Sequence, residues 1–115
     1  MGARLLIVDD EPTLLALLRR YLERLGYEVD TAASSRDALA RFSREPAGYG
    51  MVIADLTLAG MNGEEMIGRM RAANPKLRAL IASGYPYEPS LANVGFLQKP
   101  FLPDMLAEAV KKALK

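Results

Sequence analysis

The sequence predicts an α/β domain in which helices cover both faces of a five-stranded parallel sheet. Short apolar runs alternate with segments of helical period along the chain, the order that builds a parallel sheet from strand–helix–strand crossovers. The runs Leu5-Leu6-Ile7-Val8 and Met51-Val52-Ile53-Ala54 are continuously apolar, as strands buried on both faces are. The apolar runs also end abruptly at polar or charged residues, which a parallel sheet gathers along one edge. The 115 residues, half of them hydrophobic, fit one domain spanning 1–115 with a substantial core.

The first strand, Leu5 to Val8, stops at Asp9-Asp10-Glu11. Pro12 suits the first turn of a helix, with Asp10 as its N-cap. Leu14, Leu15, Leu17, Leu18, Tyr21, Leu22 and Leu25 recur at helical spacing, leaving Arg19, Arg20, Glu23 and Arg24 to water. Gly26 closes that helix. Tyr27 to Thr31 alternates and reads as an edge strand. Ser34 or Ser35 caps a second helix with the narrow stripe Ala38, Leu39 and Phe42, and Pro46 to Gly50 forms a loop before the strand Met51 to Ala54. Asn62-Gly63-Glu64-Glu65 reads as a capping box, opening a helix that buries Met66, Ile67 and Met70 and breaks at Asn74-Pro75. Arg78 to Ala82 is the fourth strand and ends at Ser83-Gly84. Tyr85 to Val94 carries Pro86 and Pro89 and has room for little more than one helical turn. Gly95 to Gln98 is the fifth strand, ending at Lys99-Pro100. The last helix runs from Pro103 to Leu114 on a core face of Met105, Leu106, Ala109, Val110 and Ala113, with Lys111, Lys112 and Lys115 near its C-terminus, where the helix dipole favours cations.

Composition excludes several classes of function. With 15 basic and 14 acidic residues the net charge is +1, which is no footprint for nucleic acid. No apolar run approaches the ~18 residues of a membrane span, and Met1-Gly2-Ala3-Arg4 leads into the first strand with no visible signal peptide. The reading is a cytoplasmic chain with neither a nucleic-acid nor a membrane partner. The lack of Cys rules out disulfides and thiolate metal sites. The lack of His removes the usual proton shuttle near neutral pH; any phosphohistidine must belong to a partner.

The strand ends carry the chemistry. Asp9 and Asp10 follow the first strand, Asp55 the third, Ser83 the fourth and Lys99 the fifth. Two carboxylates about 4 Å apart repel by roughly 4 kcal/mol at an effective dielectric near 20, so three stay ionised together only beside cations. Lys99 is one cation. A divalent ion is the natural second, and hard oxygen donors without His or Cys favour Mg²⁺ or Mn²⁺ over Zn²⁺. Such a site suits a phosphoryl group. Asp55 is the nucleophile, the metal and Lys99 neutralise the equatorial oxygens, the Ser83 hydroxyl and backbone N–H groups donate to them, and Gly84 permits close approach.

With Asp9-Asp10, Asp55, Met61-Asn62-Gly63, Ser83-Gly84 and Lys99-Pro100-Phe101 in this order, the chain resembles the receiver domain of two-component response regulators over essentially its whole length. The resemblance implies a flavodoxin-like sheet of strand order 2-1-3-4-5. It implies Asp55 as phosphoacceptor; Asp9, Asp10, Asp55 and the backbone carbonyl of Thr57 as Mg²⁺ ligands; and Lys99 as the phosphate contact, before a proline bond that can be cis. Ser83 and Phe96 match a switch pair, although Phe96 reads equally well as core. Thr57 and Tyr85 match positions that tune the phosphoryl lifetime, although Tyr85 reads equally well as a surface aromatic. The implied partner is a histidine kinase or histidine phosphotransfer protein, including a kinase domain in the same chain. The implied activity is that of a signalling phosphoacceptor that assists its own phosphotransfer and autodephosphorylation, not of an enzyme on a free substrate. The alternative is a phosphorylation-independent pseudo-receiver that only binds proteins.

Two departures from the family pattern stand out. Ala59 occupies a position that is usually proline, which predicts a less rigid loop after Asp55. Lys99 follows Ser83 by only 16 residues, so the helix between the fourth and fifth strands is short, displaced or missing. In this respect the chain looks most like receivers of hybrid histidine kinases or single-domain response regulators, and signalling through a standard dimer of that helix is not expected.

Overall fold

Continuous apolar strands and amphipathic helices assemble here into one sheet with two separate cores. The computed structural model describes residues 3–115; Met1 and Gly2, which belong to the start read as lacking a signal peptide, lie outside the described residues. The elements are β1 (Arg4–Val8), α1 (Pro12–Arg24), β2 (Glu28–Ala32), α2 (Ser35–Arg44), β3 (Met51–Asp55), α3 (Gly63–Ala73), β4 (Arg78–Ser83), β5 (Val94–Gln98) and α4 (Pro103–Ala113). The strands pair in parallel in the order β2-β1-β3-β4-β5, as predicted.

Successive strand residues point to opposite faces, and each face has its own helices. Leu6, Val8, Val52, Ala54, Ala79 and Ile81 pack with Ala38 and Phe42 of α2 and Met66, Ile67 and Met70 of α3. Leu5, Ile7, Met51, Ile53 and Leu80 pack with Leu15, Leu18 and Leu22 of α1 and Leu106 and Val110 of α4. This double burial is why β1 and β3 read as unbroken apolar runs. No helix joins β4 to β5, which settles the 84–93 segment as an irregular strap. Among the described residues no helix is long and apolar enough to cross a membrane.

Asn62 Oδ1 accepts from the Glu65 N–H at 2.8 Å, as the capping box requires, and Ser34, not Ser35, caps α2 through the Asp37 N–H. Gly26 follows α1 at a φ of 100°, a left-handed conformation that suits glycine. Asp10 is not the N-cap of α1. Glu11 holds that position without a side-chain cap, and Asp9 bonds the Glu11 N–H instead, at 3.0 Å. Leu17, Leu25 and Met105 are 62%, 50% and 48% exposed. The buried stripe of α1 is Leu15, Leu18 and Leu22; Leu17 lies two residues from Leu15 and so across the helix, Leu25 is the C-cap, and Leu106 takes the core position next to Met105. The second strand starts one residue later than predicted and ends at Ala32.

Tyr49, assigned by sequence to a loop, is 3% exposed and stacks on Phe42. Its hydroxyl donates to Asp30 Oδ2 at 2.6 Å, while Arg4 donates to the same oxygen and covers the Tyr49 ring at 4.7 Å. Burial pushes the Tyr49 phenol up to about 12, and Asp30 adds to the rise. For Asp30, burial alone would raise the pKa, but the hydrogen bonds from Tyr49 and Arg4 outweigh it and hold the carboxyl below its ordinary value. A depressed carboxyl contributes stability above its unfolded pKa and loses it as pH falls through the folded one. Asp30→Asn is therefore expected to cost about 2 kcal/mol at pH 7, the scale of charged hydrogen bonds. Urea unfolding should show the gap to wild type closing as pH drops below the ordinary aspartate range; a gap independent of pH would contradict this account.

Candidate functional site

The carboxyl ends of β1, β3, β4 and β5 bring together the residues singled out by sequence. β1 and β3 are neighbours although α1, β2 and α2 separate them in the chain, and at this reversal of strand order an open α/β sheet forms its crevice. Asp9, 4% exposed, leaves β1 with its N–H bonded to the Ala32 carbonyl. Asp55 ends β3. Carboxylate oxygens of Asp9, Asp10 and Asp55 all lie within 4.8 Å of one another; Asp10 is exposed and Asp55 half-buried.

Lys99 closes this acidic group from β5. Its Nζ donates to Asp9 Oδ2 at 2.7 Å and stands 3.6 Å from Asp55 Oδ2. Its N–H bonds the Ser83 carbonyl at 2.7 Å, and the bond to Pro100 is cis. Burial alone would lower the Lys99 pKa, but Asp9 and then Asp55 raise it above the usual lysine value. Asp55 is raised as well: burial is the main cause, Lys99 opposes it, Asp9 and Asp10 add to it, and the Thr57 N–H pulls it back. Three carboxylates here face one ammonium. Three converging hard carboxylate donors beside a single lysine can hold a divalent metal ion.

The backbone beneath Asp55 is tightly built. Leu56 N–H bonds the Ala82 carbonyl at 2.8 Å and Gly63 N–H bonds the Leu56 carbonyl at 2.9 Å. A Cβ on Gly63 would lie 2.4 Å from the Asp55 carbonyl oxygen, so only glycine lets α3 start here. Buried Ser35 donates to the Ala59 carbonyl at 3.3 Å, tethering the loop in which Ala59 replaces the usual proline.

Ser83 ends β4 at 1% exposed, and its Oγ accepts from the Tyr85 N–H at 3.2 Å. Tyr85 itself is 54% exposed, and Thr57 is exposed beside Asp55. Phe96 lies further back on β5, opposite Ile81 and against the α2–α3 core.

The sequence reading missed Glu64 and Arg71. Glu64 is buried and accepts from the Tyr87 hydroxyl and the N–H groups of Ser90 and Leu91. Arg71 donates to the carbonyls of Leu77, Ala92 and Asn93. Acidic residues are ordinary in a first helical turn and arginines in a last one, so neither signals a partner on a distant strap.

The comparisons with known proteins agree with this architecture. The family model of the response regulator receiver domain matches residues 5–111. The chain is 31% identical over 120 residues to the sensor kinase CckA of Brucella abortus (strain 2308), covering 99% of this chain and 13% of that protein. It is similar to the solved receiver domain of the hybrid histidine kinase CckA, with 30% identity, a TM-score of 0.88, and coverage of 97% of this chain and 99% of that one. It is also similar to the response regulator TrrA of Thermotoga maritima in complex with Mg²⁺-BeF, with 35% identity, a TM-score of 0.85, and coverage of 99% of this chain and 100% of that one. The chain spans about a quarter or less of the curated relatives DctD of Rhizobium meliloti and CckA.

Proposed function

The chain belongs to the response regulator receiver domain family of two-component signalling, and we propose that Asp55 accepts a phosphoryl group from a phosphohistidine on a partner kinase or phosphotransfer protein, or on a kinase domain of the same polypeptide. The observation that carries this is the Asp55 carboxylate at the tip of β3 with Lys99 Nζ at 3.6 Å and two further aspartates beside it. One Asp55 oxygen attacks phosphorus in line. The new O–P bond forms as the P–N bond to the partner's imidazole breaks; the imidazole nitrogen keeps the electron pair and takes a proton from solvent.

Lys99 neutralises one equatorial oxygen and the Ser83 hydroxyl donates to another. Asp9, Asp10, Asp55 and the Thr57 carbonyl would hold Mg²⁺, or Mn²⁺, which supplies positive charge to the carboxylates and to the incoming phosphoryl oxygens. Burial raises the Asp55 pKa, and added positive charge acts in the opposite direction. Thr57 and Tyr85 flank the site and govern access of the hydrolytic water, hence the lifetime of the acyl phosphate. The domain, taken as 1–115, then acts as a signalling phosphoacceptor, with Ser83 and Phe96 as its switching pair. The missing helix between β4 and β5 supports a readout that does not use a dimer of that helix.

Incubation with Mg²⁺ and a small-molecule acyl phosphate is expected to give one phosphoryl adduct by intact mass, absent in Asp55→Asn and absent in EDTA. An adduct that persists in Asp55→Asn contradicts the assignment. No adduct in wild type favours a protein-binding pseudo-receiver, and donor turnover independent of Asp55 favours a hydrolase.

A further inference from the structure

The outer edge of β2 opens into a slot in the plane of the sheet. The backbone bonds of β2 alternate in direction. Glu28 N–H bonds the Ala3 carbonyl, and the Ala32 carbonyl accepts from Asp9 N–H, so Glu28, Asp30 and Ala32 turn their backbone groups to β1. Val29 and Thr31, between them, turn theirs outward. β2 is the last strand on this side of the sheet. It has neither lysine nor proline and pairs with β1 without a bulge, so the strand itself lacks the usual devices that blunt an edge. Beyond it lies a slot of about 450 Å³, with Thr31 to Ala33 as its floor. One wall is Leu15 of α1, and the other is Asp37, Ala40, Arg41 and Arg44 of α2. α1 and α2 cover opposite faces of the sheet. A space that touches both helices and β2 is therefore where a further strand would run.

The two walls suit different side chains. Leu15 is apolar. Arg41 and Arg44 are exposed. Among the described residues Arg44 has no ion-pair partner, and Arg41 reaches only Asp30 Oδ1, at 3.9 Å. Asp30 is already held through Oδ2 by Tyr49 and Arg4. Asp37 is the one carboxylate in the slot's lining, so the α2 wall keeps a net positive charge. A strand sends alternate side chains to opposite faces. A segment laid in the slot sends one set towards Leu15 and the other towards the arginines. From Asp37 to Arg44 the wall spans about 10 Å of helix, the length of about three residues of strand. We propose that the β2 edge is a docking site for an extended segment of a partner protein that alternates apolar and acidic residues. The segment adds to the five strands as a sixth, through the outward N–H and C=O groups of Val29 and Thr31, and sets its carboxylates on Arg41 and Arg44. A second copy of this chain fits worse, because pairing β2 with β2 about a twofold axis brings the arginines of one α2 against those of the other. β1 separates the slot from β3 and Asp55, so a docked segment leaves the acidic edge open.

The test uses the peptide acetyl-Thr-Val-Glu-Val-Glu-Val-Thr-amide, with amide shifts and amide hydrogen exchange of the isotope-labelled chain as readouts. In the free chain Thr31 N–H is expected to exchange about tenfold faster than the N–H groups of Asp30 and Ala32, which face β1. Saturating peptide should shift the Thr31 resonance and remove most of that difference. Lysine in place of both glutamates should weaken binding about tenfold, and Arg41→Glu with Arg44→Glu should reverse the preference. Arg44→Glu alone breaks no ion pair, so it gives the same reversal of sign, about threefold in size, free of any disturbance at Asp30. N-methylation of the three central peptide residues should abolish binding, since main-chain bonds to β2 then fail in either strand direction. The proposal is overturned if the peptide leaves Thr31 unmoved, or if the lysine peptide or the N-methylated peptide binds as tightly. It is overturned too if Thr31 in the free chain becomes protected as protein concentration rises, which assigns the edge to a second copy. Asp55→Asn should bind the peptide as wild type does, so this test and that of the phosphoacceptor fail independently.

Discussion

Gly63→Ala is expected to cost 3 kcal/mol or more of folding stability, roughly, and to impair phosphoryl acceptance in whatever fraction still folds. The added Cβ would meet the Asp55 carbonyl oxygen at 2.4 Å, its carbon at 3.1 Å and Ala54 Cβ at 3.3 Å. Two of these three atoms are backbone, in a strand held between β1 and β4, so no side chain can swing aside. Either α3 retreats or the end of β3 moves, and the second outcome displaces the Asp55 carboxylate. Gly68→Ala in the same helix is the control: its Cβ would meet only Leu91 Cδ1, at 3.9 Å, an ordinary contact. Helix propensity should then make that change stabilising by about 0.5–1 kcal/mol. Urea denaturation of the two variants reads the contrast, and a mild effect of Gly63→Ala would show that the junction of β3 and α3 is softer than its geometry implies.

Lys99→Ala is expected to lower metal-free stability by about 3 kcal/mol at pH 7, the scale for removing one partner of a buried ion pair. It leaves Asp9 and Asp55, with side chains 5% and 13% exposed, beside Asp10 with no ammonium. The signs of the pH dependence separate the groups. Asp55 has a raised pKa, so its charged form opposes folding, and protonating it in acid relieves the loss in Lys99→Ala. Lys99 has a raised pKa, so its contribution to wild type is complete below the ordinary lysine pKa and fades as pH rises through the folded value. Millimolar Mg²⁺ should recover most of the lost stability, and thermal melts with titrated Mg²⁺ should show the variant gaining more from the ion than wild type does. Equal stability of variant and wild type without Mg²⁺ would mean that the lysine does not hold the cluster together.

The parts that were legible in the sequence are local or periodic. The runs Leu5–Val8 and Met51–Ala54 announced strands buried on both faces, and Asn62 with Glu65 announced the start of α3. The 16-residue spacing of Ser83 and Lys99 announced the missing helix. Asp9, Asp10, Asp55 and Lys99 stand together because a parallel sheet forces every strand end to the same edge. Leu17 and Met105 are exposed: helical spacing shows that a stripe exists but not where its edge falls, and the neighbouring element decides that. Asp10 precedes Pro12 as a cap would, but the backbone turns one residue later and Asp9 makes the bond.

The sequence by itself therefore determined the sheet, its alternation with helices and the residues that gather at its carboxyl edge, since these follow from residue period and strand order. Only the tertiary structure decided which polar groups are buried together across long separations. It paired Tyr49 and Arg4 with Asp30, set Gly63 against the Asp55 carbonyl, and fastened the 84–93 strap to Glu64 and Arg71. Such partners share no spacing or period. They are fixed by the need to satisfy buried charge and backbone groups once the chain has closed on itself.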